Sequence, residues 1–256
     1  MRKFFTFSLA EEEDISKIIN SSCHSITASA GDKDRKGRVT VVNCLNPHSF
    51  VTAMDDEQFR VALEKSDLLL PDGIGICMSM KKYKGIDLKK IAGDDLHKMV
   101  LEVLDGREGS KVYYMGSTPE VLGLIESRLK REHPTIEVRS WSPSFCEELP
   151  REESLRIIED INIFAPDVLF VSMTAPKQEK WVERYRSLLT TTGLVASIGA
   201  VFDFYSGTVK RASPIVVKMR MEWLVRLVKE PRRMWQRNFV STPRYLRYVR
   251  KHRGEM

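Results

Sequence analysis

Apolar and polar positions come in repeating blocks along the chain: a short apolar run, a polar or glycine-bearing loop, then a stretch with helical period. "RVTVVNCLNP" (38–47) reads as a strand entering a loop, ahead of a helical stretch over 55–65. "SDLLLPDGIGI" (66–76) reads as a short buried strand stopped by Pro71-Asp72-Gly73, with a second helix beyond it. "KVYYMGSTPEVLGLIESRLKREHPTIEVRSW" (111–141) is the plainest unit. Its helix takes Ser117 as cap and carries Val121, Leu124, Ile125, Arg128 and Leu129 on one face at i, i+3, i+4, i+7 and i+8. "DVLFVSM" and "GLVASIGAVFDF" supply two further strands. Continuous apolar strands alternating with helices predict an α/β, Rossmann-like fold: a mostly parallel sheet with helices on both faces.

The ends of the chain break this rhythm. Residues 20–38 are small, polar and aperiodic, so they read as a loop after a short N-terminal helix. After Pro214 a helix, "IVVKMRMEWLVRLVKE", leads into a basic aromatic tail. The expected parts are therefore an N-terminal helix and loop (1–38), an α/β core (39–214) and a helical basic appendage (215–256).

Composition narrows the class. At 256 residues, with 42% hydrophobic and 30% charged positions, the chain is long enough for one well-buried core. The four cysteines, Cys23, Cys44, Cys77 and Cys146, have no CxxC spacing, so neither a zinc site nor a disulfide framework is expected. The start "MRKFFTFSLAEEED" runs directly into acidic residues without a cleavage site, and a cytoplasmic setting is expected. Charge is distributed unevenly. Of the net +6, a local +9 lies from Lys218 onward (12 Lys or Arg against 3 Asp or Glu), so the first 217 residues carry −3. The basicity belongs to the tail.

Ligands of open α/β sheets sit at the carboxyl ends of the strands. There this chain places Asn43 and Asn46, Asp72 and Gly73, Gly116 and Ser117, then "TAPKQE" (174–179), and finally Ser197, Gly199 and Asp203. Small residues at helix N-termini suit phosphate oxygens, so a nucleotide-type site is expected. GxGxxG, GxxxxGK[ST] and GxSxG are all missing from strand ends, which removes support for dinucleotide, P-loop and serine-hydrolase readings. Asp72 is the best candidate for a general base, and a helix cap accounts for it equally well. Glu179, in the first turn of a helix, has a bland alternative in favouring the helix dipole. Asp95, in "AGDDL", has one in capping. "DKD" (32–34) resembles a metal-binding DxD, but its soft, charged loop reads as a solvated turn.

In order along the chain, "LNPHSF", "LLPDGIGI", "AGDDL", "APKQE", "FDFYSGTVKRA" and "MEWLVRLVKEPRR" resemble the WecG/TagA/CpsF family of bacterial glycosyltransferases, from about residue 39 to 240. The resemblance implies an inverting, metal-independent transfer of an N-acetylmannosamine-type sugar from a UDP donor, with no cofactor. The implied acceptor is a polyprenyl-diphosphate-linked sugar on the inner membrane face, in teichoic acid or surface polysaccharide synthesis. It places the base on Asp72. Substrate contacts fall on Asn46, Gly73, Asp95, Gly116, Lys177, Gln178, Glu179, Gly199, Asp203, Lys210 and Arg211. The lipid diphosphate would be held by Arg226, Arg233 and Arg237. Self-association is also implied. The chain departs from the family pattern at Met173-Thr174 and Ala200, where glycine or small residues are usual, at Lys90, where arginine is usual, and at Arg220.

The tail "KEPRRMWQRNFVSTPRYLRYVRKHR" interleaves cations with Trp235, Phe239, Tyr245, Leu246, Tyr248 and Val249. It reads as a membrane-surface segment folding over the active site. The rival reading is a nucleic-acid or nucleotide-binding module that stacks bases on the same aromatics. Such a module has no need of "PDG", "APKQE" and "VKRA", so no nucleic-acid partner is expected.

Overall fold

The computed structural model describes residues 1–28, 39–209 and 235–255. The "DKD" turn, the helix expected after Pro214, Arg220, and the expected ligand residues Lys210, Arg211, Arg226 and Arg233 lie outside the described residues.

Eight strands form one sheet: β1 (Arg2–Phe4), β2 (Phe7–Leu9), β3 (Thr40–Leu45), β4 (Leu68–Pro71), β5 (Lys111–Gly116), β6 (Glu137–Trp141), β7 (Val168–Ser172) and β8 (Leu194–Ser197), in spatial order β1-β2-β4-β3-β8-β7-β5-β6. Only β1 runs antiparallel to its neighbour; the other seven strands are parallel. This is the α/β, Rossmann-like architecture that the apolar runs predict. Strand alternation divides the core between two faces. In β5, Val112 and Tyr114 point into a cluster with α1 (Glu12–Ala28), α5 (Gly93–Asp105), α6 (Pro119–Glu132) and α9 (Val201–Ser206). Tyr113 and Met115 point to the opposite face, against α7 (Arg151–Phe164) and α8 (Lys177–Tyr185). Beside them, α2 (Pro47–Asp55), α3 (Glu57–Glu64), α4 (Ile74–Lys84) and α10 (Thr242–Lys251) cover the β1–β2 end.

Several local expectations are corrected. Residues 20–28 are helical, because no glycine or proline interrupts α1 before Gly31. Residues 2–9 form a hairpin that the sequence pattern did not announce: its strands have three residues each, and Phe5 holds the turn at φ 54° without a glycine or asparagine. Helix α6 is capped by Thr118, whose Oγ1 accepts from Val121 N–H, and Ser117 stands outside it at φ 58°. Its inner face is Leu122, Ile125 and Leu129; Leu124 is exposed. The helix expected over 55–65 is preceded by α2, which starts at Pro47 under an Asn46 cap. In "GLVASIGAVFDF" the strand ends at Ser197 and the rest turns into α9.

The tail is corrected most. Tyr245 and Val249, one helical turn apart on α10, are 0% and 1% exposed and pack among Phe4, Phe50 and Met80. Tyr245 Oη donates to Ser79 Oγ at 2.8 Å, and its ring meets Phe50 edge-on. Two of the aromatic-tail positions expected at a membrane thus close the core instead. Trp235, Phe239 and Leu246 remain exposed.

Candidate active site

A cavity of about 240 Å³ opens at the carboxyl ends of β4, β3, β8 and β7, four adjacent strands. Each wall follows from a local constraint. After β3, Asn46 caps α2: its Oδ1 accepts from His48 and Ser49 N–H, each at 3.0 Å, and Ser49 Oγ accepts from Asn46 N–H at 2.7 Å. That arrangement occupies the amide oxygen and leaves the Nδ2 hydrogens for a ligand. Asn43, by contrast, is buried mid-strand and donates to Ser66 Oγ, away from the cavity.

After β4, Asp72 N–H donates to Leu45 O at 2.9 Å, which ties the two strand ends together. Gly73 follows at φ 117°, a backbone region closed to side chains, with Asn46 and Pro47 only 3.3 Å from where a Cβ would lie. Gly73 itself is the N-cap of α4, and no side chain caps that helix. Asp72 stands one residue ahead of that N-cap position. It lines the cavity.

"AGDDL" divides between two roles. Asp95 is exposed and its Oδ2 accepts from Ala92 N–H at 2.8 Å, bracing the start of α5. Asp94 lines the cavity, with Lys98 Nζ 3.1 Å from its Oδ2. The motif singled out Asp95, and Asp94 is the one of the pair that lines the wall. The helical register of Leu96, His97, Val100 and Leu101, all buried, was the available signal. Lys90 lies in the same wall.

The "APKQE" loop follows β7, and Thr174 sits in it at φ 67°. That backbone favours glycine, so the β-branched residue there is strained. Gln178 and Glu179 then turn inward on α8, 4% and 3% exposed. Gln178 Oε1 accepts from Met173 N–H at 3.2 Å, and its Nε2 donates to Glu179 Oε1 at 2.9 Å. Burial pushes the Glu179 carboxyl up to about 7, against the opposing pull of its hydrogen bonds from Gln178 and the backbone. Lys177 turns the other way and donates to Cys146 O at 2.7 Å, beside a second cavity under Trp181. Cys44 lies in the main wall. Its thiol is pushed well up by burial and by the carboxylates of Asp72, Glu179 and Asp95, so it is no nucleophile at neutral pH.

After β8, Gly199 (φ 55°) and Asp203 line the cavity. Ala200 has φ −61°, so the methyl it carries in place of a glycine strains nothing. Gly116 serves packing: a Cβ there would lie 2.1 Å from Ser172 O, where β5 closes on β7. Arg237 reaches the cavity from the C-terminal segment. The structure thus gathers Asp72, Asn46, Gln178, Glu179, Gly199, Asp203 and Arg237, and places Asp95, Gly116 and Lys177 elsewhere. Among the described residues, no group of three or more His, Cys, Asp or Glu is arranged to hold a metal ion.

The chain is 32% identical over 207 residues to an N-acetylglucosaminyldiphosphoundecaprenol N-acetyl-beta-D-mannosaminyltransferase of Bacillus spizizenii, covering 81% of this chain and 77% of that one. It is 29% identical over 211 residues to the Bacillus subtilis protein of the same name, covering 82% and 79%. A family model matches residues 15–255, so the likeness also takes in most of α1, which lies outside the stretch that the motifs mark out. The chain thus belongs to the glycosyl transferase WecG/TagA/CpsF family.

Proposed function

We propose that the chain transfers an N-acetylmannosamine-type sugar from a UDP donor to a polyprenyl-diphosphate-linked N-acetylglucosamine, by inversion and without a metal. The observation that carries this reading is Asp72: an aspartate on the cavity wall, at the end of β4 and just ahead of the Gly73 N-cap of α4. The names of the two Bacillus relatives support the acceptor and the sugar.

The reaction is a single displacement. Asp72 takes the proton of the acceptor hydroxyl as its oxygen attacks the anomeric carbon, and UDP departs from the opposite face. A base in position contributes roughly 10²–10⁴-fold. Arg237 and Lys90, in the same wall, offset the charge that builds on the leaving diphosphate, with Arg226 and Arg233 as further candidates on the acceptor side. Residues 39–214 carry the chemistry in this reading, and 215–256 bring it to the lipid. Trp235, Phe239 and Leu246, 59%, 48% and 54% exposed, supply apolar contact to the inner membrane surface.

The test is UDP release from UDP-N-acetylmannosamine in the presence of a short polyprenyl-diphosphate-N-acetylglucosamine. Release that requires the acceptor and persists in EDTA is expected. Absence of release across a panel of UDP-sugars contradicts the donor class, and loss in EDTA contradicts the metal-free route.

A further inference from the structure

Helix α4 is turned inside out at its start. Its first two turns, "IGICMSM", are apolar on nearly every side, and their one hydroxyl, Ser79, points inward. That serine is buried and its Oγ accepts from Tyr245 Oη of α10 at 2.8 Å. The outward positions are Ile74 and Met78, one turn apart and 45% and 60% exposed. A helix packed on a core ordinarily carries its polar groups outward. An outward isoleucine and methionine over an inward serine mark a face that suits something other than water.

Charge separates along the same helix. Lys81, Lys82 and Lys84 occupy its last turn, with Lys82 about 6 Å beyond Met78 along the axis. Over residues 74–90 five lysines stand against Asp87 alone, a local +4. The first 217 residues carry −3 in all, so the remainder of that stretch holds −7 and α4 is a basic island in an acidic core. Helix α10, docked on α4 through Tyr245, is basic too, with no acidic residue over Thr242–Lys251. Its Arg244 pairs with Asp55 of α2 on one flank, and exposed Leu246, two positions on, occupies the other. Both elements adjoin the cavity. Helix α4 begins directly after Asp72-Gly73, and the turn before α10 brings Arg237 to the wall while leaving Trp235, Phe239 and Val240 exposed. Apolar side chains from two distant parts of the sequence thus flank wall residues, and cations accompany both.

We propose that the outward face of α4, Ile74 and Met78 with Lys81, Lys82 and Lys84, is a membrane-contact surface of the core itself, which together with α10 seats the cavity on an anionic bilayer. This deepens the proposed function and rests on its lipid-linked acceptor. The apolar pair enters the boundary between headgroups and acyl chains, and the lysines meet anionic headgroups. A second copy of the chain is the poorer occupant, because two such faces would set like charges against each other.

The experiment is co-sedimentation of the full chain with phosphatidylglycerol/phosphatidylcholine vesicles that hold no lipid-linked sugar, so that binding is read apart from any transfer. I74S/M78S is expected to weaken binding about tenfold. K82A/K84A is expected to weaken it about tenfold at low salt and to flatten its salt dependence. I163S, at an exposed apolar position of α7, which follows the edge strand β6, is expected to change nothing. Vesicle binding unaltered in I74S/M78S overturns the proposal and leaves the contact to the C-terminal segment. So does an equal loss in I163S, the sign of general surface hydrophobicity, and so does a wild type that binds no vesicles. If I74S/M78S instead loses self-association in sedimentation and keeps vesicle binding, the face belongs to a second copy and the proposal is overturned. Turnover separates this surface from the reaction it serves. I74S/M78S is expected to match wild type on a short, water-soluble acceptor and to fall about tenfold on an acceptor embedded in vesicles. Absence of transfer by the wild type, with the vesicle results as expected, overturns the proposed reaction and leaves the surface standing.

Discussion

Asp72 and Glu179 share a cavity, yet the chain gives them opposite environments. Asp72 stands at a strand end, beside Gly73, on the cavity wall. Glu179 is folded under the "APKQE" loop with one oxygen unmatched. The second arrangement has a measurable consequence for stability. The Glu179 carboxyl ionises near 4.5 when unfolded and at about 7 when folded, so between those values the folded state holds the extra proton. Stability from this group is therefore complete below about pH 4.5, falls as pH rises, and is lost above about pH 7, by about 3 kcal/mol. In denaturant titrations, the stability of the wild type relative to E179Q is expected to decline by that order from about pH 4.5 to about pH 8. A constant difference would show that the carboxyl is not buried as described. Only part of this was legible beforehand. Spacing put Gln178 and Glu179 at a strand end, but burial depends on how α8 leans on β7 and β8, which no local pattern encodes.

At the scale of elements, helix α10 shows how a segment can be mistaken when its partner is distant in sequence. Its Tyr245 and Val249 read as membrane contacts beside Arg244, Arg247 and Arg250, because basic and apolar positions alternate in the tail. The surface that receives them is made by residues at the other end of the chain, Phe4 and Phe50, and by Ser79 of α4. The hairpin β1–β2 was illegible for the same reason: three-residue strands carry no period, and their worth lies in rings that meet only after folding. Tyr245→Ala, which removes a fully buried ring and its hydrogen bond, is expected to cost about 3–5 kcal/mol in thermal or denaturant unfolding. Arg244→Ala, which breaks only the exposed pair with Asp55, is expected to cost less than about 1 kcal/mol. Equal and small effects would mean that α10 is not docked on the core.

Over the whole molecule, the parallel sheet was legible because each central strand is a continuous apolar run, and buried parallel strands need no alternation. The site was legible as far as strand ends announce it: Asn46, Asp72, Gln178, Glu179, Gly199 and Asp203 meet in one cavity. Asp94 was missed because helical register, not motif identity, decides which of two adjacent aspartates is buried. Among the described residues no helix is long and apolar enough to cross a membrane. Exposed Phe239 and Leu246, flanked by arginines, predict binding to anionic phospholipid vesicles that weakens with salt and drops several-fold in F239S/L246S. Equal binding of the double variant would move the membrane contact elsewhere. The central claim remains that Asp72 is the base of a sugar transfer, and the most direct measurement is the turnover of Asp72→Asn at saturating donor and acceptor. The account predicts a loss of roughly 10²-fold or more with donor affinity within a few-fold of wild type. Turnover within about threefold of wild type would contradict it, since an amide cannot accept the acceptor's proton.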